Sequence, residues 1–109
     1  MPKVSRLRTA DEFRATVRGG LRVARPSMVV HVRRVEGPAS RAGLVVGKSL
    51  GNAVHRNRTK RQLRHLLAAR LHGTPFPVDV VVRALPAADA DLGRDLADAW
   101  ETSLRKLAS

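Results

Sequence analysis

Residues 53–71 place the strongest constraint on how this chain folds, because their spacing predicts a long helix with two unlike faces. At about 100° per residue, leucines collect on one side of that helix and cationic side chains on the other. The leucine side consists of Leu63, Leu66 and Leu67. The opposite side, here called the cationic face, consists of Asn57, Arg58, Lys60, Arg61, Arg64 and His65. Such a helix needs an apolar layer beneath its leucines, and a β-sheet can supply one.

The charge around this helix points to a polyanionic partner. Residues 37–78 contain eight Lys and Arg residues and no Asp or Glu, within a chain of net charge +12. A helix that is merely solvated would carry Glu one turn from its bases to relieve repulsion. Like charges at successive turns cost about a few tenths of a kcal/mol per pair, which bound phosphates would offset. The pattern therefore favours a nucleic acid over a solvated charged face.

Charge and periodicity do not decide between DNA and RNA, although the predicted strands disfavour the reading of duplex DNA. A helix-turn-helix would need a short helix just before the basic one, whereas strands are predicted there. The helix could otherwise enter a major groove or lie along an RNA backbone. Base stacking has few candidates, since Phe13, Phe76 and Trp100 are the only aromatic residues.

Periodicity and turn residues predict seven elements in one domain, residues 1–109, of the α+β class. Residues 1–7 are predicted to be a flexible basic N-terminus. Helices are predicted over 9–18, 53–71 and 89–107, and strands over 21–25, 27–35, 42–48 and 78–85. The two middle strands, 27–35 and 42–48, are expected to form an antiparallel hairpin. The order αβββαβα is that of a two-layer α-β sandwich, with helices packed on one sheet.

Capping residues support the helix boundaries. Thr9 with Glu12 has the spacing of a capping box, and Asn52 is placed to cap the long helix. The last helix carries a stripe that includes Leu96, Trp100 and Ser103, so we expect Trp100 in the core.

The Gly-Lys-Ser sequence at Gly47 to Ser49 is not expected to bind a nucleoside triphosphate. A phosphate loop requires four residues between its glycines, and only three separate Gly43 from Gly47. Those three residues are strand-forming rather than flexible. We expect Lys48 to lie at the end of a strand, where it can contact a polymer phosphate.

No constellation for catalysis or metal binding is apparent in the sequence. The acidic residues of the last third lie on a strand and a helix where they have structural explanations, and His65 with His72 would lack further zinc ligands. There is no apolar run of about 20 residues and no secretory signal, so we expect a cytoplasmic protein without membrane contact.

Residues 48–64, KSLGNAVHRNRTKRQLR, closely resemble the signature of the bacterial ribonuclease P protein subunit, K-x-x-G-N-A-V-x-R-N-R-x-K-R-x-x-R. The segments RLRTADEFRATVRGG, GLVVGKS and VDVVVRALP extend the similarity over residues 5 to 107. The resemblance implies the same order αβββαβα, with an uncommon left-handed βαβ crossover.

The resemblance also implies an activity that this chain would assist rather than perform. In that family an RNA subunit with bound Mg²⁺ hydrolyses a phosphodiester and so removes the 5′ leader of precursor tRNA. The protein binds the catalytic RNA and the leader. On this basis we expect no catalytic residue and no metal site in the chain, Mg²⁺ bound mainly by the RNA subunit and substrate, and no protein partner.

Family positions predict two groups of site residues. The RNA-binding group consists of Lys48, Asn52, Arg56, Asn57, Arg58, Lys60, Arg61 and Arg64. Arg56 lies near the leucine edge, so its role is open between fold and ligand. The leader cleft is predicted to contain Phe13, Val17 and His31, of which the last two stand where the family often has aromatic residues. We therefore expect phosphate contacts to contribute more to leader binding here than stacking.

Two other functions are compatible with parts of the sequence. A basic RNA-binding protein of the ribosome or its assembly would share the composition but not the helix signature. An autonomous nuclease or NTPase is disfavoured by the missing carboxylate cluster and the short glycine spacing.

Overall fold

The computed structural model describes residues 5–37, 39–86 and 91–108. The elements in order are β1 (Ser5–Arg6), α1 (Ala10–Gly19), β2 (Leu21–Arg25), β3 (Met28–Arg34), β4 (Arg41–Val45), a 3-10 helix (Lys48–Leu50), α2 (Ala53–Leu71), β5 (Val78–Ala84) and α3 (Leu92–Ala108). The α+β class and the order αβββαβα are confirmed, with the two-residue β1 added in front. The predicted first residues of the last helix, 89 and 90, lie outside the described residues.

The five strands form one sheet in the order β1-β4-β5-β3-β2. The predicted hairpin of residues 27–35 and 42–48 is wrong, because β5 lies between β3 and β4, antiparallel to β3 and parallel to β4. β5 is buried along its length except at Arg83, and an apolar run of this kind favours a central position with both faces covered. The antiparallel partner of β3 on its other side is β2.

Two parallel neighbours, β4 and β5, are joined through α2 and form a βαβ unit. Parallel strands cannot be joined by a tight turn, and this requirement explains why the long helix sits between them. The left-handedness of this crossover stays a prediction from the family resemblance.

The core lies between one face of the sheet and the layer formed by α2 and α3. Its fully buried valines come from alternate positions of two adjacent strands: Val30, Val32, Val78, Val80 and Val82. Leu63 and Leu67 of α2 and Trp100 of α3 cover them. The predicted leucine side of α2 and the predicted core position of Trp100 are confirmed.

Helix α1 contacts β3 and β5 and lies over Gly43 of β4, on the face of the sheet opposite α2 and α3. Its capping box is confirmed: the Thr9 hydroxyl accepts from Glu12 N, and the Glu12 carboxylate accepts from Thr9 N. A side chain at residue 43 would place its Cβ 2.4 Å from Cζ of Phe13. Gly43 is therefore required for this close approach.

The segment before α1 is part of the sheet, contrary to the prediction of a flexible terminus over residues 1–7. Ser5 and Arg6 pair in parallel with β4, and Leu7 is buried and donates its backbone N–H to the carbonyl of Ala42 at 3.0 Å. The edge of β4 has backbone N–H and C=O groups that this segment can pair with. The prediction of a flexible terminus used only the basic charge of the segment and could not take this edge into account. Residues 1–4 lie outside the described residues.

No helix in residues 5–37, 39–86 or 91–108 is both long and apolar enough to cross a membrane.

Candidate nucleic-acid interface

The cationic face of α2 points away from the core. Asn57, Arg58, Arg61, Arg64 and His65 are exposed and Lys60 is half-buried, while Leu63 on the opposite side is fully buried. The predicted division of this helix into two faces is confirmed. No ion pair joins the bases of this face to an acidic residue in the described part of the chain. The face therefore presents uncompensated positive charge to solvent.

Asn52 and Lys48 lie where the chain enters α2. The Asn52 carboxamide oxygen accepts from His55 N at 2.9 Å and so caps the helix, which gives this residue a structural role as predicted. Lys48 is exposed but begins the 3-10 helix, so its predicted position at the end of a strand is wrong. β4 ends earlier than predicted, at Val45, which forms the last residue pair with β5. Its partner, Arg83, is the penultimate residue of β5, so β5 is too short to pair with a β4 that continues to Lys48. Contact of either residue with RNA stays a prediction.

Arg56 lies at the edge of the leucine side, as predicted. It is half-buried, and its Nε is shielded from solvent without a hydrogen-bond partner among the described residues. Because the side chain is half-buried, it packs partly against the fold, and its contact with RNA stays a prediction.

Two members of the cationic face also border a slot between α2 and the β4 edge of the sheet. Lys60 and Arg64 line this slot of about 310 Å³ together with Arg6 and Phe13. Phe13 is shared with a second depression, on the far side of the sheet. The two concave surfaces therefore meet at one aromatic ring.

The second depression, here called the sheet groove, contains all three predicted cleft residues. Phe13 and Val17 of α1 and His31 of β3 line it, together with Val29, Val45 and Val81. Three arginines that the sequence reasoning did not select complete the lining: Arg14, Arg22 and Arg83. The structure thus brings the predicted cleft residues together, and their contact with a leader stays a prediction.

His31 forms part of the groove floor in a neutral state. Burial is the main cause that lowers its pKa from the ordinary value, and the nearby charges of Arg22 and Arg83 lower the pKa further. Its Nδ1 has no hydrogen-bond partner among the described residues. A ring that resists protonation at neutral pH adds no positive charge to the groove, so the charge there comes from arginine.

A network centred on Arg41 holds α1 against the sheet. Arg41 donates to both carboxylate oxygens of the fully buried Asp79, from Nε at 3.0 Å and from Nη2 at 2.7 Å. Its Nη1 donates to Glu12 in the first turn of α1. Arg33 approaches Asp79 from β3, with Nη2 3.4 Å from Oδ2. Since Phe13 follows Glu12 directly, this network fixes the aromatic wall of the groove.

The pKa values of the network follow from these bonds. Backbone N–H groups of Arg8 and Thr9 lower the pKa of Glu12, and Arg41 lowers it further. The hydrogen bond to Asp79 raises the pKa of Arg41. Glu12 and Arg41 are therefore both charged at physiological pH, and the ion pairs between α1 and the sheet do not depend on pH in that range.

Comparison with known proteins agrees with the geometry. The sequence model of the family described as Ribonuclease P matches residues 1–108. The chain belongs to the ribonuclease P protein family. The Ribonuclease P protein component of Kocuria rhizophila is 45% identical over 112 residues, with 99% of each chain covered. That of Streptomyces bikiniensis is 47% identical over 109 residues, covering 88% of this chain and 89% of the relative.

Solved structures of ribonuclease P proteins have the same fold. The Staphylococcus aureus protein superposes with a TM-score of 0.74 at 29% identity, covering 96% of each chain. The Thermotoga maritima protein gives a TM-score of 0.65 at 27% identity, covering 95% of this chain and 92% of that one.

The ribonuclease P resemblance did not point to the arginines of the groove, although the sequence contains a signal for one of them. In VDVVVRA, alternation places Asp79, Val81 and Arg83 on the second face of a strand whose first face is core. A charge there indicates that this face is not simply buried. The convergence of Arg83 with Arg22 depends on the strand order, which local periodicity does not contain.

The family resemblance implies Mg²⁺ bound mainly by RNA, which stays a prediction, and the described residues of this chain do not suit a site for the ion. They contain no group of three His, Asp or Glu side chains able to hold a metal ion. The buried carboxylate of Asp79 already accepts from two arginines, and Glu12 from Arg41. Hard cations prefer several oxygen ligands that are free to coordinate.

Proposed function

We propose that this chain is the RNA-binding subunit of ribonuclease P, binding the catalytic RNA and the 5′ leader of precursor tRNA. The holoenzyme removes the leader by endonucleolytic hydrolysis, in a cytoplasmic reaction for which the RNA and its substrate hold Mg²⁺. The chain itself supplies no catalytic group and requires no protein partner. Membership of the family supports the ribonuclease P assignment.

One observation carries the RNA-binding part of the proposal. The cationic face of α2 is exposed and has no acidic counterpart in the described part of the chain, although the same protein pairs other arginines with acids. Repulsion within such a face is relieved when phosphates lie against it. Polymer phosphate is thus the ligand whose chemistry fits.

The sheet groove supplies a second surface, continuous with the first through Phe13. A single strand leaving the mature tRNA could lie in this groove while the cationic face contacts folded RNA. Binding on two surfaces would hold the substrate and the catalytic RNA in one orientation. The protein would in this way promote cleavage by the RNA without supplying a catalytic group itself.

Salt titration tests whether phosphate contacts carry the binding. For a single-stranded leader RNA of about ten nucleotides, we expect a log–log slope of affinity against salt near −0.7 per phosphate contacted, hence between about −2 and −3.5 for about three to five contacts. Fluorescence anisotropy at several KCl concentrations measures it. An affinity that does not change with salt would contradict the proposal.

A further inference from the structure

We propose that Arg22 and Arg83 form a phosphate-binding pair in the sheet groove, so that the groove holds the backbone of single-stranded RNA rather than stacking on its bases. This inference rests on the proposed function and specifies how the leader is recognised. Its ligand is a phosphodiester of single-stranded RNA.

The strand order places the two arginines on either side of His31. Arg22 on β2 is the direct partner of His31 on β3, and Arg83 on β5 is the direct partner of Val29, two residues along β3. Direct partners in a sheet share a face, so all four side chains project into the groove. Both arginines are exposed, and both are close enough to His31 to lower its pKa.

Arg22 and Arg83 differ from the arginines that serve the fold. Arg25, also on β2 but on the core side, pairs with Asp98 at 2.8 Å, and Arg41 pairs with Asp79. Neither Arg22 nor Arg83 has an ion pair or side-chain hydrogen bond in the described part of the chain. The buried acid on their own sheet face, Asp79, is occupied by Arg41 and Arg33.

Arg22 and Arg83 bring two unpaired positive charges into the groove on either side of a neutral histidine, and RNA phosphates would supply the missing negative charge. A guanidinium fork suits phosphate because it donates two parallel hydrogen bonds. An RNA strand with phosphates repeating along its length can meet both arginines, whereas one small anion could not as readily bridge β2 and β5, which are separated by β3.

The apolar lining of the groove is poorly suited to stacking. Valines contribute most of it, and Phe13 is its single aromatic hydrocarbon ring. Each base stacked on an aromatic ring contributes about 1–3 kcal/mol, so one ring limits how strongly bases can be held. The arginines of the groove therefore suit the phosphates of the leader, whereas its apolar lining offers little surface on which bases could stack.

The test uses the reconstituted holoenzyme with Arg22→Gln and Arg83→Gln combined. The matched control combines Arg70→Gln and Arg94→Gln, two exposed arginines outside the groove, which lower the net charge of +12 by the same two units. The measured quantity is the leader-dependent gain, the ratio of affinities for precursor tRNA and for mature tRNA without a leader. A third variant, Arg22→Lys with Arg83→Lys, keeps the charge.

We expect the glutamine pair to reduce the leader-dependent gain by about tenfold and to flatten the salt slope by about 1.4, the value for two phosphates of a single strand. The lysine pair should retain the slope, and the control pair should retain the gain. A leader made of abasic nucleotides should keep most of its affinity for the unsubstituted protein.

Two outcomes would overturn the inference alone: an unchanged gain in the glutamine pair, or loss of binding by the abasic leader, which would show stacking. If the unsubstituted holoenzyme shows no leader-dependent gain, the inference fails together with the leader-binding part of the proposed function. Circular dichroism checks that each variant is folded, as the exposure of the substituted residues predicts.

Discussion

Replacing Arg41 with Met is expected to lower the free energy of unfolding by about 3 kcal/mol. The substitution leaves the carboxylate of Asp79, which is 0% exposed, with Arg33 at 3.4 Å as its remaining ionic partner. It also frees the first turn of α1 from the sheet by removing the bond to Glu12. Urea unfolding followed by far-UV circular dichroism measures the loss.

A double-mutant cycle separates the buried charge from lost packing. Adding Asp79→Asn to Arg41→Met should restore about 1 kcal/mol or more, because it removes a buried charge that only Arg33 still contacts. Arg14→Met is the matched control, since Arg14 pairs with Asp11 on an exposed helix surface, and it should change stability by less than about 0.5 kcal/mol. Strictly additive losses for Arg41 and Asp79 would contradict the network.

Replacing Arg61 and Arg64 with Ala should weaken binding to the catalytic RNA by about a hundredfold at moderate salt, about tenfold for each charge-assisted contact. Both side chains are exposed on the cationic face, so circular dichroism and stability should be unchanged. Alanine also removes like-charge repulsion from the helix, which could offset other small losses. Filter binding measures the affinity.

The control for this pair is Arg70→Ala with Arg94→Ala. Arg70 is exposed on the same helix but outside the cationic face, and Arg94 is exposed on α3. If the control pair loses as much affinity as Arg61 and Arg64, net charge and not the cationic face carries the binding. If the test pair unfolds, those arginines serve the fold.

The expected results for Arg41 and for the pair Arg61 and Arg64 depend on the same difference between charged residues. Some charged side chains are paired within the fold, and others are exposed without an acidic partner. The acids of the described segments that are buried or half-buried are used within the fold, as Asp79 with Arg41 and Asp95 with Ser27 illustrate. The exposed bases of α2, and Arg22 and Arg83 in the sheet groove, lack such partners among the described residues. Positive charge therefore remains where RNA phosphates can reach it.

Local chemistry explains which parts of the fold could be predicted. The Thr9 capping box, the two faces of α2 and the core position of Trp100 depend on residues within a few turns of one another. The position of β5 between β3 and β4 was missed because it depends on competition between distant strands for the centre of the sheet. The same limit applies to the pairing of Ser5 and Arg6 with β4, whose edge is defined only once the sheet exists.

The candidate site divides in the same way. The cationic face follows from helical periodicity alone, and the family resemblance supplied Phe13, Val17 and His31. Alternation along β5 points to Arg83 alone, and only the order of β2, β3 and β5 places Arg22 and Arg83 on either side of β3. The Arg41 network likewise joins residues from four elements, α1, β3, β4 and β5, that are distant in the chain.

Cleavage of precursor tRNA tests the central claim most directly. The substrate is incubated at low Mg²⁺ with the protein alone, with a bacterial ribonuclease P RNA alone, and with both. We expect cleavage at the mature 5′ end mainly when both are present, because in the proposed function the protein binds and orients the leader while the RNA performs the hydrolysis. Cleavage by the protein alone, or equal cleavage by the RNA with and without the protein, would contradict the account.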